Sequence, residues 1–153
     1  MNNNSVTASC EVLLGEDTYN QLISNKIKVN VFEVSKTSAI MASKSTFLYL
    51  PNCFQNNINS CDIEFELDSK NNKIKIFVTA TSINSSSVEM ETLYACSNCA
   101  LVICDLLKKY DKNITINNLS IISKSNNTTE IKIEDKKIES NENSGFRFLI
   151  NEI

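Results

Sequence analysis

The stretch CDIEFELDSKNNKIKIFVTAT, residues 61–81, decides the fold of this chain. Residues 61–67 alternate apolar with acidic side chains, and residues 73–81 repeat the alternation with other polar partners. A period of two is typical of a strand with one buried and one solvated face. Residues 68–72 are polar and supply a turn. We therefore predict that residues 61–81 form an antiparallel hairpin.

Helical periodicity lies on both sides of this hairpin. Residues 16–24 and 31–44 have apolar side chains spaced for short helices. Pro51 cannot continue a helix, so the chain is predicted to enter a loop before the hairpin. After the hairpin, residues 88–110 carry apolar side chains at spacings of three and four. That spacing predicts a long helix with a broad buried stripe that covers the sheet.

The last part of the chain is predicted to add one strand and a polar segment. Residues 114–123 alternate again, with an irregularity near Asn117 and Asn118. Residues 125–145 are polar and charged, so we expect them to be mobile or to form a marginal edge strand. The predicted order is helix, helix, two strands, long helix, strand. This order predicts an α+β fold with helices packed on one face of an antiparallel sheet, in a single domain over residues 1–153.

Composition argues against several classes of protein. The 153 residues include 15 basic and 18 acidic ones, a net charge of -3, which gives no electrostatic reason to expect nucleic acid as a partner. No uninterrupted apolar run approaches the roughly 20 residues that span a bilayer. The first residues, MNNNS, lack the basic and apolar regions of a signal peptide. We therefore expect a cytoplasmic protein that binds neither nucleic acid nor a membrane.

The six cysteines are interpreted as reduced thiols. A chain without an export signal is expected to keep its thiols reduced. Cys96 and Cys99 have the CxxC spacing of some zinc sites, but both fall on the buried stripe of the long helix. The chain has no histidine and no second CxxC to complete four ligands. We expect no metal and no cofactor, and a small zinc-binding regulator is the remote alternative.

Charged side chains mark both ends of the long helix. Asp105 and Lys108 are three residues apart, so they can pair on one helix surface. Such a pair is either a solvated surface pair or, in a dry pocket, a carboxylate that orients a lysine for proton donation. Glu89 and Glu91 open the helix, where acidic side chains complement its dipole, and Met90 between them indicates packing. Spacing alone does not choose between these interpretations.

Several short motifs resemble one known family in their order and spacing. They run from about Val12 to Lys124 and include Lys28-Val-Asn-Val31, Ala39-Ile-Met-Ala-Ser-Lys44, Leu50-Pro-Asn-Cys53, Val88-Glu-Met-Glu91 and Asp105-Leu-Leu-Lys108. Together they are similar to the motifs of the cyclic pyranopterin monophosphate synthase family of molybdenum cofactor biosynthesis. The resemblance implies a ferredoxin-like fold, with active sites at subunit interfaces in a hexamer built from dimers.

The resemblance also implies a reaction and a site. Members of the family convert a cyclised guanosine-derived triphosphate into cyclic pyranopterin monophosphate and release pyrophosphate, without a redox cofactor. By register, Lys28 and Lys108 match the catalytic lysines, and Asp105 matches the aspartate that positions them. The implied substrate-binding residues are Asn52, Cys53, Phe54, Glu89, Met90, Glu91 and Lys124.

Phe54 is the main departure from the family's pattern. The family has a histidine at this position, whereas a phenyl ring cannot donate, accept or carry a proton. The loop after Lys124 also lacks a lysine that the family has. The resemblance therefore leaves two functions open: a divergent synthase that uses Lys28, Lys108 and Asp105, or a non-catalytic homologue that acts as a scaffold or binding subunit.

Overall fold

The structure is a computed structural model that describes residues 3–83, 87–126 and 129–132. Within these ranges it contains one sheet, three α-helices and a short 3-10 turn at Thr46–Leu48. The elements are β1 (Asn3–Leu13), α1 (Glu16–Ile23), α2 (Val31–Ser45), β2 (Ser60–Asp68), β3 (Lys73–Ile83), α3 (Glu89–Leu107), β4 (Thr115–Asn126) and β5 (Thr129–Lys132).

The sheet is antiparallel throughout, with the strand order β2-β3-β1-β4-β5. The first four strands and the helices between them follow the βαββαβ order of a ferredoxin-like fold, with α1 and α2 together in the place of its first helix. The side chains that face the helices form the core, whereas the other sheet face is part-exposed. The predicted α+β fold is confirmed.

β1 is the central strand of the sheet, and the sequence-based prediction omitted it. It pairs with β3 and β4 on its two sides. Its inward side chains Val6, Ala8, Cys10 and Val12 are buried, and polar side chains alternate with them. The alternation is complete, but two of these four side chains are small, so the apolar signal is weak. The predicted order, which began with a helix, was therefore wrong at its start.

The helices confirm the predicted periodicity at residues 16–24, 31–44 and 88–110 to within a few residues. Ser38 donates to Asn98 Oδ1 at 2.6 Å, and the ring of Tyr49 lies 5.7 Å from that of Tyr94. Later residues of the α2 segment thus meet earlier residues of α3, so the two helices are antiparallel. The N-terminal end of α2 consequently lies at the same end of the helical layer as the C-terminal end of α3.

The hairpin and the irregular fourth strand are also confirmed. β2 and β3 pair in register from Ser60 to Asp68. The register between β1 and β4 shifts near Asn118, whose φ of 58° is left-handed, a conformation that asparagine tolerates better than most residues. Of the segment 125–145, residues 125–126 belong to β4 and 129–132 form the edge strand β5. Its remaining residues lie outside the described part of the chain.

α3 is the core helix. It is the one described helix long and apolar enough to suit a membrane span, but a core helix meets the same criterion. Its residues Cys96 and Cys99 are fully buried, and Cys96 Sγ lies 3.4 Å from Cys10 Sγ on β1. Burial raises the pKa of Cys99 to about 12, so this thiol stays neutral. Among the described residues, no group of three histidine, cysteine, aspartate or glutamate side chains is arranged to hold a metal ion.

Candidate functional site

The predicted site residues on α3 lie at its two ends. Glu89 and Glu91 are in its first turn, whereas Asp105 is in its last turn and Lys108 caps it. At about 1.5 Å of rise per residue, Glu89 and Asp105 are roughly 24 Å apart along the helix axis. No side chain spans that distance. The predicted residues therefore form two separate groups in one chain.

The first group, at the start of α3, contains an ion pair. Lys124 Nζ lies 2.8 Å from Glu89 Oε1, and the two side chains are 29% and 31% exposed. β4 carries Lys124 next to Val6 of the central strand. The pairing of β4 with β1 thus brings a lysine from late in the chain to the first turn of α3. Solvent still reaches this ammonium group, so an anionic ligand can reach it too.

Glu91 belongs to the same group but is buried, with only 5% of the residue exposed. Its Oε1 accepts a hydrogen bond from Asn56 Nδ2 at 2.8 Å, and the same nitrogen lies 3.1 Å from the backbone oxygen of Ser87. Asn56 lies in this candidate site, and the sequence-based prediction did not include it. The sequence places Asn56 in the loop before β2, but the loops of this chain contain many asparagines, so this one does not stand out.

The loop that carries Asn52, Cys53 and Phe54 lies over the start of α3. The backbone N–H of Cys53 donates to Leu50 O at 3.0 Å, which forms a turn around Pro51. Burial raises the pKa of the Cys53 thiol, and the negative charge of Glu91 raises it further. Phe54 points outward and is 85% exposed. Asn52 is also exposed, and Met90 on α3 is half-buried.

Replacement of Glu91 by glutamine is expected to increase the reactivity of Cys53. The substitution removes the charge that raises the thiol pKa, while the effect of burial stays, so the pKa falls only part of the way to its ordinary value. A fall of one pKa unit corresponds to about tenfold more thiolate at a fixed pH below the pKa. The measurement is the rate of iodoacetamide alkylation at pH 8, resolved by peptide mass spectrometry.

Cys61 is the internal control for that experiment. Burial raises its pKa as well, and the acidic side chain beside it is Asp62, not Glu91. Its alkylation rate should therefore be the same in both proteins. An unchanged Cys53 rate in Glu91→Gln would contradict the electrostatic contact between Cys53 and Glu91.

The second group lies at the other end of α3. Lys108 Nζ and Asp105 Oδ1 are 2.5 Å apart, and the side chains are 73% and 67% exposed. Lys28, also exposed, lies in the connection before α2 and lines a shallow pocket of about 210 Å³. Since α2 and α3 are antiparallel, Lys28 is at the same end of the helical layer as Lys108. In a single chain, the spacing of Asp105 and Lys108 thus produces a solvated surface pair.

A model of the MoaC family matches residues 2–127 of this chain. A protein of Clostridium acetobutylicum named cyclic pyranopterin monophosphate synthase is 33% identical over 119 residues, which are 77% of this chain and 74% of that protein. A protein of Clostridium perfringens with the same name is 34% identical over 118 residues, 76% of this chain and 75% of that protein.

A third protein with that name, from Thermoanaerobacter sp., is 37% identical over 98 residues, 64% of this chain and 62% of that protein. This chain thus spans about three quarters of the two clostridial relatives and less than two thirds of the third. Among solved structures, a de novo designed protein with a ferredoxin fold covers 92% of this chain and 98% of its own, at 13% identity and a TM-score of 0.35. So low a score adds nothing to the fold assignment, which rests on the strand order.

Proposed function

Because this chain belongs to the MoaC family, we propose that it is a cyclic pyranopterin monophosphate synthase, a lyase of molybdenum cofactor biosynthesis. Its substrate is a cyclised guanosine-derived triphosphate, and its products are cyclic pyranopterin monophosphate and pyrophosphate. The observation that carries the proposal is that the first turn of α3 contains both the ion pair of Glu89 with Lys124 and the buried carboxylate of Glu91. The proposal includes a cytoplasmic location, where a nucleotide-derived substrate is available.

The reaction requires proton transfers and the binding of a polyanion, and lysines serve both needs. Lys28 and Lys108 are the proposed proton-transfer groups, and Asp105 orients the Lys108 ammonium through their ion pair. Lys124 is proposed to bind the triphosphate, where its charge stabilises the departing pyrophosphate. Glu91 and Cys53 are proposed to contact the ring system. Together, these roles account for acid–base chemistry and leaving-group stabilisation.

A complete site requires a second copy of the chain, because the two groups are roughly 24 Å apart along α3. We propose a homo-oligomer built from two-fold dimers that assemble to a hexamer, in which the Lys108 end of one copy meets the Glu91 end of its partner. Four apolar side chains of α2, α3 and the turn after α2 are 58–66% exposed, and burial of apolar surface would favour self-association. These residues are Met41, Leu48, Tyr49 and Leu101.

The alternative is a non-catalytic homologue that serves as a scaffold or binding subunit, and the phenyl ring of Phe54 favours it. The deciding experiment incubates the purified protein with the cyclised triphosphate and measures pyrophosphate and the pterin product together. The synthase is expected to form both products in equal amounts. If a folded protein forms neither, the synthase proposal fails and the scaffold function is supported.

Phe54→His is expected to raise turnover about tenfold, since a positioned imidazole can transfer protons near neutral pH. Phe54 is exposed, so the substitution should change the free energy of unfolding by less than about 0.5 kcal/mol. The measurement is kcat as a function of pH. The profile of Phe54→His should show an additional titration near pH 6.5, because the ordinary pKa of histidine is about 6.5. Phe54→Leu is the matched control, and equal rates in the two variants would contradict a role for the imidazole.

A further inference from the structure

Asn56 connects the loop of residues 50–56 to the start of α3. Its side-chain NH2 group lies within hydrogen-bond distance of two acceptors, Glu91 Oε1 and the Ser87 backbone oxygen. Neither atom can donate to an amide oxygen when Glu91 is ionised, so the nitrogen of the Asn56 amide must face α3. The orientation of this side chain is thus fixed by its partners.

Glu91 depends on this contact. A buried carboxylate without hydrogen bonds is strongly destabilised, and Glu91 is 5% exposed. Within residues 3–83, 87–126 and 129–132, Asn56 is the only hydrogen-bond donor to its side chain, and Oε2 accepts no hydrogen bond. One carboxylate oxygen is therefore held in place, and the other has no hydrogen-bond donor among the described residues.

We propose that Asn56 is a positioning residue, which fixes the carboxylate of Glu91 through Oε1 so that Oε2 can accept a hydrogen bond from the substrate. The inference rests on the proposed function, whose guanosine-derived substrate carries N–H donors. Asn56 acts through Glu91 and does not itself touch the reacting atoms. The same contact holds the loop of Cys53 and Phe54 against α3.

The environment of Cys53 agrees with this geometry. The Glu91 charge contributes, after burial, to the raised pKa of the Cys53 thiol, which requires the loop to lie close to the carboxylate. Cys53 is three residues before Asn56, so loss of the Asn56 contact would also release Cys53 from Glu91. Both candidate substrate contacts thus depend on one amide group.

The test is a double-mutant cycle of Asn56→Ala, Glu91→Ala and the double variant, with kcat and KM measured separately. Loss of a hydrogen bond to a charged group is expected to lower kcat/KM about ten- to hundredfold in Asn56→Ala. In the Glu91→Ala background, measured at high enzyme concentration, the same substitution should have a much smaller effect, because only the contact of Asn56 with the Ser87 backbone oxygen is left to lose. Asn57→Ala is the matched control, because Asn57 is exposed and should stay within about twofold of wild type.

Two outcomes would overturn the proposal: wild-type kcat/KM in Asn56→Ala, or an equal loss in both backgrounds, since additive losses indicate independent roles. A readout without turnover separates this failure from failure of the proposed function. In 15N-labelled protein, the side-chain amide resonance that disappears in Asn56→Ala should shift in Glu91→Ala and stay in place in Asn57→Ala. If wild type is inactive, a shift supports the Asn56–Glu91 contact while the synthase proposal fails, and no shift overturns the contact.

Discussion

Lys108→Ala is expected to lower turnover by at least about a hundredfold, the usual scale for loss of a positioned acid–base group. The protein should stay folded, because Lys108 is 73% exposed and its ion-pair partner Asp105 is exposed as well. Substitutions at such surface positions change the free energy of unfolding by about 0.5 kcal/mol or less. Pyrophosphate release measures the first effect and thermal unfolding the second.

Lys109→Ala is the matched control for that substitution. Lys109 follows Lys108 in the chain and is also exposed. Its ammonium group lies 5.0 Å from the centroid of the Tyr110 ring. Its loss removes one positive charge from the same end of α3 without touching Asp105. Equal turnover in the two variants would remove Lys108 from the site and leave its ion pair as surface structure.

The sequence predicted the fold correctly where apolar residues recur with a regular period over a long stretch. The hairpin of β2 and β3 and the helix α3 have long periodic runs, and both were predicted correctly. β1 was missed although it is central, because Ala8 and Cys10 fill the close space under α3 and are too small to give a clear apolar pattern.

The sequence identified individual residues of the candidate site but not the contacts between them. Motif spacing identified Glu89, Glu91 and Lys124 through the family resemblance, but neither the ion pair of Lys124 with Glu89 nor the burial of Glu91 can be derived from spacing. Both depend on β4 lying beside β1, a long-range pairing. Asn56 has no local signal because its contact with Glu91 depends on the path of a loop. Long-range contacts therefore determine which of the predicted residues meet.

Two damaged variants are expected to restore activity when they are combined. Lys108→Ala and Glu91→Ala should each retain no more than about a hundredth of wild-type turnover. The two variants are co-expressed with different affinity tags and purified together. Their mixture should recover about a quarter of wild-type turnover, because random pairing gives about a quarter of the two-fold sites both intact ends. Half of the dimers are then mixed, and one of the two sites in each mixed dimer carries neither substitution.

This recovery depends on the roughly 24 Å that separate the two ends of α3, because only a site shared by two copies can combine an intact Lys108 with an intact Glu91 from different chains. Lys108→Ala with Lys28→Ala is the matched control. Both substitutions lie at the same end of the helical layer, so every shared site receives one damaged end and turnover should stay low. If Lys108→Ala and Glu91→Ala fail to complement although both tags are present in one oligomer, each copy must complete its site alone, and the proposed arrangement of the two-fold interface would be wrong.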